Sequence, residues 1–576
     1  MDATRLHAYL QQFQPKLLTC LRAGYDLRSL RADALAGLTV AIVALPLAMA
    51  LAIASGTSPE KGLHTAIIAG FLISALGGSR VQIGGPTAAF IPVVFVVIQK
   101  FGYGGLILCT LLAGLMLIAA GLLRLGTLMK YMPQPVITGF TAGIAVTIFS
   151  SQVKDALGLQ MEQVPAEFVE RWSAYVAHIG SLQPATVGMT VLGLAVIIGL
   201  RQWKPKWPGF LLALLACTLA TSLLALPTDT IGSRFGQLPT ALPGFDFPRI
   251  PFERTFELLP SAFTIAFLAG VESLLSAVVA DGMTGGRHRS NGELVAQGVA
   301  NAASALFGGL PATGALARTA TNVRAGARSP MAGILHAGFL LLFMLLLAPL
   351  MRYVPLAALA AVLLVVAWNM SEYEHFRSTL SAPWGDRVVL LLTFGLTVFF
   401  DLTVAIEAGV VVAALVFMYR MSEAVEIRSG VRATDDDLDE AAARARDEQQ
   451  RQRLPRGVEA YQIGGPLFFG AANRLDSLLD QFFEKPRVLI LRMRLVPVID
   501  ASGVHALRKL AARCQREGIV LVLSGLQEQP NRVIAQMGLD GGGGGLHLAS
   551  NFDRALQLAR SIAAGERPRP APGTAQ

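Results

Sequence analysis

Two stretches of sequence decide the fold of this chain: residues 84–90, GGPTAAF, and residues 308–318, GGLPATGALAR. Both contain a Gly-Gly pair that is followed by a proline and small residues, and both interrupt long apolar runs. They begin 308 − 84 = 224 residues apart. Short segments broken by glycine and proline, at corresponding places in two halves of an apolar domain, are typical of the substrate site of a secondary transporter. The two stretches therefore predict a pair of helices that begin inside a membrane.

A helix that begins inside a membrane suits an anion, because its first N–H groups lack acceptors and its start carries a partial positive charge. Pro86 fits the first turn of a helix, where its missing N–H is not needed. We expect Thr87 to cap this helix and to offer a hydroxyl, and Thr313 to take the same role in the second stretch. The alternative is two kinked helices that pack closely through small residues. The predicted substrate-binding residues are Gly85, Pro86, Thr87, Ala88, Thr313, Gly314, Ala315 and Arg318.

The composition indicates a membrane protein. Of the 576 residues, 53% are hydrophobic and only 15% are charged, whereas roughly a quarter of a soluble domain is charged. Apolar runs such as 34–54, 106–123 and 333–350 are long enough to span a bilayer. We predict fourteen transmembrane segments, which are centred near Val43, Ala69, Val94, Leu115, Ala142, Ala195, Leu214, Leu268, Val299, Ala317, Leu340, Leu363, Leu392 and Val411.

The basic residues indicate how these segments are oriented. Arg22, Arg28 and Arg31 precede the first segment, and positive charge beside a segment marks its cytoplasmic side. An even number of segments then places both termini in the cytoplasm, with the protein in the inner (plasma) membrane. The net charge of +9 could instead suggest nucleic acid. Basic cytoplasmic loops explain that charge, so we expect a lipid bilayer and no nucleic acid as partner.

A faint internal repeat supports two halves of seven segments each. Residues 128–133, LMKYMP, resemble residues 350–355, LMRYVP, at an offset of 352 − 130 = 222 residues. The two broken stretches have nearly the same offset. Because an odd number of segments separates the copies, the second copy is inverted in the membrane, as in many secondary transporters. Chance similarity is the alternative, but two independent landmarks with one offset favour the repeat.

Two ionisable residues stand inside predicted segments, where charge is rare and usually functional. Glu272 lies in the middle of an apolar span and is predicted to carry a coupling proton that offsets the negative charge of the substrate. Its alternative role is that of a structural partner of Arg318. Arg318 either raises the positive potential at the anion site or snorkels to the cytoplasmic interface. Ser276 is one turn beyond Glu272 and could add a hydroxyl to the same face.

The C-terminal part has a different composition. Residues 421–456 are rich in charge and predict a solvated linker. Ser502 begins a predicted helix and is expected to cap it, or to be phosphorylated as a regulatory residue. A small α/β domain is indicated by predicted strands that alternate with predicted helices: strands at 458–463, 488–491 and 519–523, and helices at 473–483, 502–516 and 529–537.

These observations define five predicted regions. They are a cytoplasmic arm at 1–31, a transmembrane domain at 32–420, the linker at 421–456, the α/β domain at 457–563 and a disordered tail at 564–576. The sequence contains no Walker loop, zinc-ligand spacing or nucleophile elbow. We therefore expect neither an ATP-driven pump nor a hydrolase or other enzyme, and no catalytic residue, metal or cofactor.

The sequence resembles the SulP family, the sulfate-permease-like anion transporters with a C-terminal STAS domain. The membrane motifs that carry the resemblance are residues 37–50, GLTVAIVALPLAMA, residues 77–80, GGSR, residues 84–90, and the segments around Glu272 and at 311–322. Residues 465–469, GPLFF, and 500–503, DASG, resemble the STAS domain.

The resemblance implies a membrane all-α transporter of fourteen transmembrane segments. They form two inverted sets of seven, arranged as a core domain and a gate domain, and a cytoplasmic α/β STAS domain follows. It also implies a homodimer, an elevator-like motion, and an anion held between the third and tenth segments. The STAS domain could in addition bind a cytoplasmic partner.

Residues 311–326 and 365–372 look closest to the bacterial branch of this family that takes up C4-dicarboxylates with protons. We therefore predict proton-coupled uptake of succinate, fumarate or a similar anion, with sulfate or bicarbonate as the alternative substrate. Sodium-coupled members characteristically have Asp where this chain has Glu272, which favours a proton over sodium. An alternative of another class is a membrane sensor that signals through the STAS domain. A nucleobase–proton symporter has a similar architecture but explains neither that domain nor Arg318.

Overall fold

The computed structural model describes residues 11–129, 133–161, 164–204, 207–236, 252–400, 402–423, 426–429, 454–468, 475, 479, 485–539 and 546–564. The chain divides into two units, Met1–Ala413 and Ala414–Gln576. Helices build the first unit, and the second contains a β-sheet.

The helices follow one another along the first unit, as the apolar runs predict. They are α1 (Lys16–Arg22), α2 (Leu27–Ala54), α3 (Pro59–Leu76), α4 (Ile91–Leu122), α5 (Gly126–Met129), α6 (Gln134–Leu157), α7 (Phe168–Ala177), α8 (Pro184–Trp203), α9 (Gly209–Leu223), α10 (Ile231–Phe235), α11 (Thr255–Thr284), α12 (Ser290–Leu306), α13 (Leu316–Arg324), α14 (Met331–Met351), α15 (Leu356–Met370), α16 (Tyr373–Thr379), α17 (Trp384–Phe399) and α18 (Leu402–Glu423). Short 3₁₀ turns occur at Ala88–Phe90, Ile179–Ser181 and Phe252–Arg254.

All fourteen predicted centres lie in these helices. Two of them, Val94 and Leu115, lie in α4, which is kinked at Gly102, where φ is 71°. In the part of the chain that the structure describes, eight helices are long and apolar enough to cross a membrane. Others are shorter, and α13 has only nine residues, as expected of a helix that begins inside the membrane. The predicted membrane all-α class is confirmed.

The helices of the first unit form two sets by their mutual packing. The first helix set contains α2, α3, α4 and α11 to α14, and the second contains α6, α8, α9, α15 and α17. Each set thus combines helices from both halves of the sequence. Small residues allow close approach within a set: a Cβ on Gly114 of α4 would lie 2.7 Å from the carbonyl oxygen of Gly298 in α12. This is the packing that small residues mediate between membrane helices.

The predicted N-terminal arm contains the helix α1, which is hydrogen-bonded to the first helix set. The Lys16 N–H donates to the carbonyl oxygen of Gly77 at 3.0 Å. Arg289 in turn donates from Nη1 to the carbonyl oxygen of Gln14 at 2.5 Å. Residues 1–10 lie outside the described residues, as do residues 130–132 of the predicted repeat.

The second unit contains a five-stranded sheet whose strands lie side by side in chain order. They are numbered from β3, because the first unit contains two short strands, β1 (Gly84–Gly85) and β2 (Thr313–Gly314). The strands of the sheet are β3 (Glu426–Ser429), β4 (Val458–Gly464), β5 (Val488–Leu495), β6 (Val520–Ser524) and β7 (Leu546–Ala549). β3 is antiparallel to β4, and the other neighbours are parallel. The helices are α19 (Ala501–Arg516), α20 (Glu528–Gln536) and α21 (Phe552–Ala563). Alternate residues of β5 belong to two different apolar clusters, so the sheet is buried on both faces.

Three details of this unit differ from the sequence predictions. Four residues of the predicted linker, Glu426–Ser429, form an edge strand because they bond to β4. β7 and α21 were not predicted. Ser502 does not cap α19: the side chain of Asp500 accepts the Gly503 N–H at 2.8 Å and takes that position. Most of the predicted helix at 473–483 and the predicted tail beyond residue 564 lie outside the described residues.

Candidate functional site

The two broken stretches lie side by side in the first helix set. Gly84–Gly85 forms β1 and Thr313–Gly314 forms β2, and the two pair antiparallel, with Gly84 opposite Gly314 and Gly85 opposite Thr313. The Ala315 N–H extends the pairing to the carbonyl oxygen of Ile83 at 2.8 Å. A side chain on Gly314 would overlap Gln82, which explains the glycine.

A helix start follows each of the paired strands. After β1, Ala88–Phe90 makes a 3₁₀ turn that leads into α4, and after β2 the helix α13 begins at Leu316. Neither start has a side-chain cap. The first N–H groups of a helix have no acceptor within the helix, and the helix dipole adds positive potential there. The pairing of the strands therefore brings two electropositive helix starts close together.

The predicted capping roles of Thr87 and Thr313 are wrong, because neither helix start has a side-chain cap. Both hydroxyls instead donate to α11. Thr87 donates from Oγ1 to Oε2 of Glu272 at 2.9 Å, and a hydrogen bond to an ionised carboxylate is among the stronger ones. Thr313 donates to the carbonyl oxygen of Ala269 at 2.8 Å and is fully buried. The two threonines thus fix the paired strands to α11.

Glu272 lies half-buried on α11, at a narrow cavity of about 50 Å³. No ion pair joins it to Arg318 among the described residues, so the predicted alternative of a direct structural pair is not observed. One wall of the cavity comes from α11 and the α4 start. The other wall is apolar and comes largely from the second helix set and α18: Val136, Ile137, Phe140, Thr141, Met370 and Ile406.

Arg318 is buried beside β1 and does not snorkel to an interface. Its exposed fraction is 3%. Nη2 donates to the carbonyl oxygen of Pro86 at 3.0 Å, whereas Nε and Nη1 have no acceptor among the described residues. Gly85, with a φ of 150°, is the residue next to Nη1, and a Cβ there would overlap that nitrogen. A buried guanidinium with unused donors is a strong hydrogen-bond donor for an anion.

Ser276 does not reach the cavity at Glu272. It is fully buried and donates to Oγ1 of Thr319 at 3.0 Å. Thr319 Oγ1 accepts the Ile83 N–H at 3.1 Å. Because α11 turns this face toward α13, the Ser276 hydroxyl supports the residue before β1 and is not available to a ligand.

The sequence analysis missed a row of buried polar residues on α12. Glu293, Gln297 and Asn301 are four residues apart, a spacing that places them on one face of the helix. Glu293 accepts the N–H groups of Gly78 at 2.7 Å and Ser79 at 3.1 Å. The Gln297 side chain also donates to Glu293, at 2.9 Å. The carboxylate therefore holds the loop that leads to β1; the spacing of four marks the row in the sequence but does not show what it holds.

Asn301 holds the second stretch in the same way. Its side chain accepts the Ala312 N–H at 2.8 Å and donates to the Ala312 carbonyl oxygen at 2.8 Å. Ser304 donates to the Leu310 carbonyl oxygen at 2.6 Å, and Thr65 on α3 accepts the Leu310 N–H at 2.6 Å. These bonds satisfy backbone groups that a membrane interior cannot hydrate. The two helix starts are therefore held rigidly before any ligand arrives.

Comparison with known proteins gives consistent findings. The profile of the Sulfate permease family matches residues 30–393, and that of the STAS domain matches residues 453–555. A Bacillus subtilis protein named "Putative sulfate transporter YvdB" is 43% identical over 90% of this chain and 95% of its own length. "Bicarbonate transporter BicA" of Synechocystis is 28% identical over 88% of this chain and 91% of its own length.

Solved structures agree on the fold. "The overall structure of SLC26A9" superposes with a TM-score of 0.84 at 18% identity and covers 98% of this chain and 95% of that one. The transmembrane domain of a cyanobacterial bicarbonate transporter, BicA, superposes with a TM-score of 0.60 at 28% identity and covers 68% of this chain and 98% of that one.

Proposed function

The chain belongs to the sulfate permease family, and we propose that this membrane anion transporter takes up sulfate or a related small oxyanion together with a proton. Membership makes it a multi-pass membrane protein with a C-terminal STAS domain and not an enzyme. The observation that carries the proposal is the pairing of β1 with β2, which directs two uncapped helix starts and the unused donors of Arg318 to one place.

The geometry favours one compact anion. The two helix starts are adjacent, since their strands pair residue for residue, and one buried arginine accompanies them. A C4-dicarboxylate has two carboxylates separated by a carbon chain and would need a second cationic site. The relatives reported above are named for sulfate and bicarbonate, and none of them supports the predicted dicarboxylate. We therefore propose sulfate as the first candidate substrate and bicarbonate as the second.

We assign the coupling proton to Glu272. Its carboxylate lies within hydrogen-bond distance of Thr87, one residue before the first helix start. An ionised Glu272 would repel an anion bound there, and a protonated one would not. Loading a proton therefore favours loading of the anion, and release of either favours release of the other. This is the reciprocity that coupled binding requires.

The proposed transport motion is a displacement of the first helix set against the second. The site residues belong to the first set, whereas Val136, Phe140 and Met370 of the second form the opposite wall of the Glu272 cavity. Among the described residues, this wall is apolar except for Thr141, whose hydroxyl donates within its own helix. The elevator-like motion, the homodimer and the cytoplasmic termini stay predictions.

Regulation through Ser502 also stays a prediction. Its side chain is exposed in the first turn of α19, and Asp500 already caps that helix. The hydroxyl is therefore free for modification. A phosphate there would benefit from the positive helix start but would lie near the Asp500 carboxylate.

Uptake by the purified full-length protein in proteoliposomes tests the function. We expect radiolabelled sulfate to accumulate faster when the outside is acidic, with competition by bicarbonate and little by succinate. Glu272→Gln, which imitates the protonated residue, should remove the pH dependence and keep anion binding. No accumulation of sulfate, or stronger competition by succinate than by bicarbonate, would contradict the proposed substrate. An unchanged pH profile in Glu272→Gln would contradict the coupling role.

A further inference from the structure

A second and larger cavity lies away from Glu272, where α9 of the second helix set meets α2 and α14 of the first. Its volume is about 480 Å³, many times the ~30 Å³ of a water molecule in the liquid. Met49 of α2, Leu214 and Leu215 of α9, and Leu347 of α14 line it. An apolar cavity of this kind does not hold water stably.

This groove opens to the surface that faces the bilayer. Leu215, Leu219 and Leu350 line it and are 49%, 59% and 62% exposed. In a multi-pass membrane protein, exposed leucines within a span contact lipid and not water. The groove is therefore continuous with hydrocarbon, and the material available to fill it is an acyl chain.

The length of the groove matches one leaflet of a bilayer. Its lining on α9 runs from Leu211 to Ser222. From Leu211 to Ser222 there are 222 − 211 = 11 rises along the helix, which correspond to about 16 Å at ~1.5 Å per residue. Half of the ~30 Å hydrocarbon core is about 15 Å. One acyl chain can thus lie along the groove while its headgroup stays at the interface.

A positively charged side chain, Arg352, lies at one end of the groove. Tyr353 lines that end, and the Arg352 guanidinium lies 4.6 Å from the centre of its ring and donates to its hydroxyl. The carbonyl oxygen of Arg352 accepts the Gly232 N–H at 2.8 Å, which fixes the position of the residue. No acid of the described residues forms an ion pair with Arg352. Its charge is therefore available to a phosphate.

We propose that this groove binds an anionic phospholipid, with one acyl chain between α2, α9 and α14 and the phosphate at Arg352. The apolar groove accounts for the chain, and Arg352 accounts for the charge. Because α9 belongs to one helix set and α2 and α14 to the other, the bound lipid contacts both sets.

The test uses the full-length protein in nanodiscs that contain phosphatidylglycerol with a diazirine in its acyl chain. After illumination, we expect labelled peptides from α9 around Leu214. Thr218→Trp fills the groove and should reduce this labelling to background, and Leu219→Trp serves as a second filling variant. Leu223→Trp is the matched control, because Leu223 is on the same helix, is 81% exposed and does not line the groove.

The headgroup is tested with a phosphatidylcholine probe that carries the same diazirine chain. Arg352→Gln should reduce the preference for phosphatidylglycerol about fivefold, which corresponds to the ~1 kcal/mol that one cation contributes near anionic lipid, and Arg352→Lys should keep it. Labelling of α9 that persists in both filling variants would overturn the proposal. So would an unchanged headgroup preference in Arg352→Gln.

Discussion

The two broken stretches have similar sequences but different surroundings. In the first, Thr87 bonds to a carboxylate at the edge of a cavity, and the following turn is 3₁₀. In the second, Thr313 is buried and bonded to α11. Asn301 bonds to the backbone of Ala312, and the helix that follows, α13, contains Arg318. On the proposed function, the first stretch responds to protonation of Glu272, and the second supplies a fixed positive charge through Arg318. A sequence repeat can therefore conserve backbone geometry while its two copies divide the chemistry.

The largest effect is expected from the fixed charge of the second stretch. Arg318→Gln should reduce sulfate uptake at least about 30-fold, because losing one member of a buried charged contact costs ~2–5 kcal/mol. Arg318→Lys should lose less of the sulfate uptake, because it keeps the positive charge. Arg324→Gln, an exposed change on the same helix, is the control and should transport normally. Equal uptake by the Arg318→Gln and Arg324→Gln variants would remove Arg318 from the site.

The contact between the two stretches is tested by Gly85→Ala. The added methyl group overlaps Arg318, and a φ of 150° disfavours any side chain. Overpacking of about 1–3 kcal/mol should reduce uptake about fivefold or more at equal protein amounts. Gly338→Ala adds the same group where no atom lies within 4 Å of it. Normal uptake by Gly85→Ala would show that the two stretches need not approach so closely.

A smaller effect is expected from the support of the first stretch. Glu293→Gln replaces a carboxylate that accepts two backbone N–H groups and should lower the free energy of unfolding by about 1–3 kcal/mol. Glu257→Gln, in an exposed pair with Arg254, should change it by less than ~1 kcal/mol. Melting temperatures of the two variants and of the unchanged protein in detergent test both expectations. If the two variants melt alike, Glu293 does not hold the loop.

The smallest effects separate the two threonines. Thr87→Val removes a hydrogen bond of about 1 kcal/mol from Glu272 and should shift the pH dependence of uptake with little change in melting temperature. Thr313→Val removes the side-chain hydrogen bond that joins β2 to the Ala269 carbonyl oxygen of α11 and should lower the melting temperature without moving the pH profile. Identical behaviour of the two variants would mean that the stretches do not differ in function.

The sequence predicted the backbone of the site better than its side chains. Gly-Gly-Pro patterns and apolar run lengths depend on local geometry, so the two helix starts could be expected. The antiparallel pairing of β1 with β2 was not predicted. The roles of Thr87 and Thr313 depended on how α11 lies across them, which no local pattern contains. The same holds for Ser276, whose partner Thr319 is on another helix.

The polar row on α12 was visible as a spacing of four but not interpretable. Only the folded chain shows that Glu293 and Asn301 point at the loops before β1 and β2. Similarly, Asp500 and not Ser502 caps α19, because the helix begins at Ala501 and Asp500 is the extended residue before it. Glu426–Ser429 is charged and becomes a strand only because β4 offers an open edge.

The most direct test of the account is a structure of the full-length protein in nanodiscs with bound sulfate. We predict the anion between residues 85–88 and 315–318, within hydrogen-bond distance of backbone N–H groups of both helix starts and of Arg318. Sulfate bound elsewhere, or bound here with Arg318 turned away, would contradict the account.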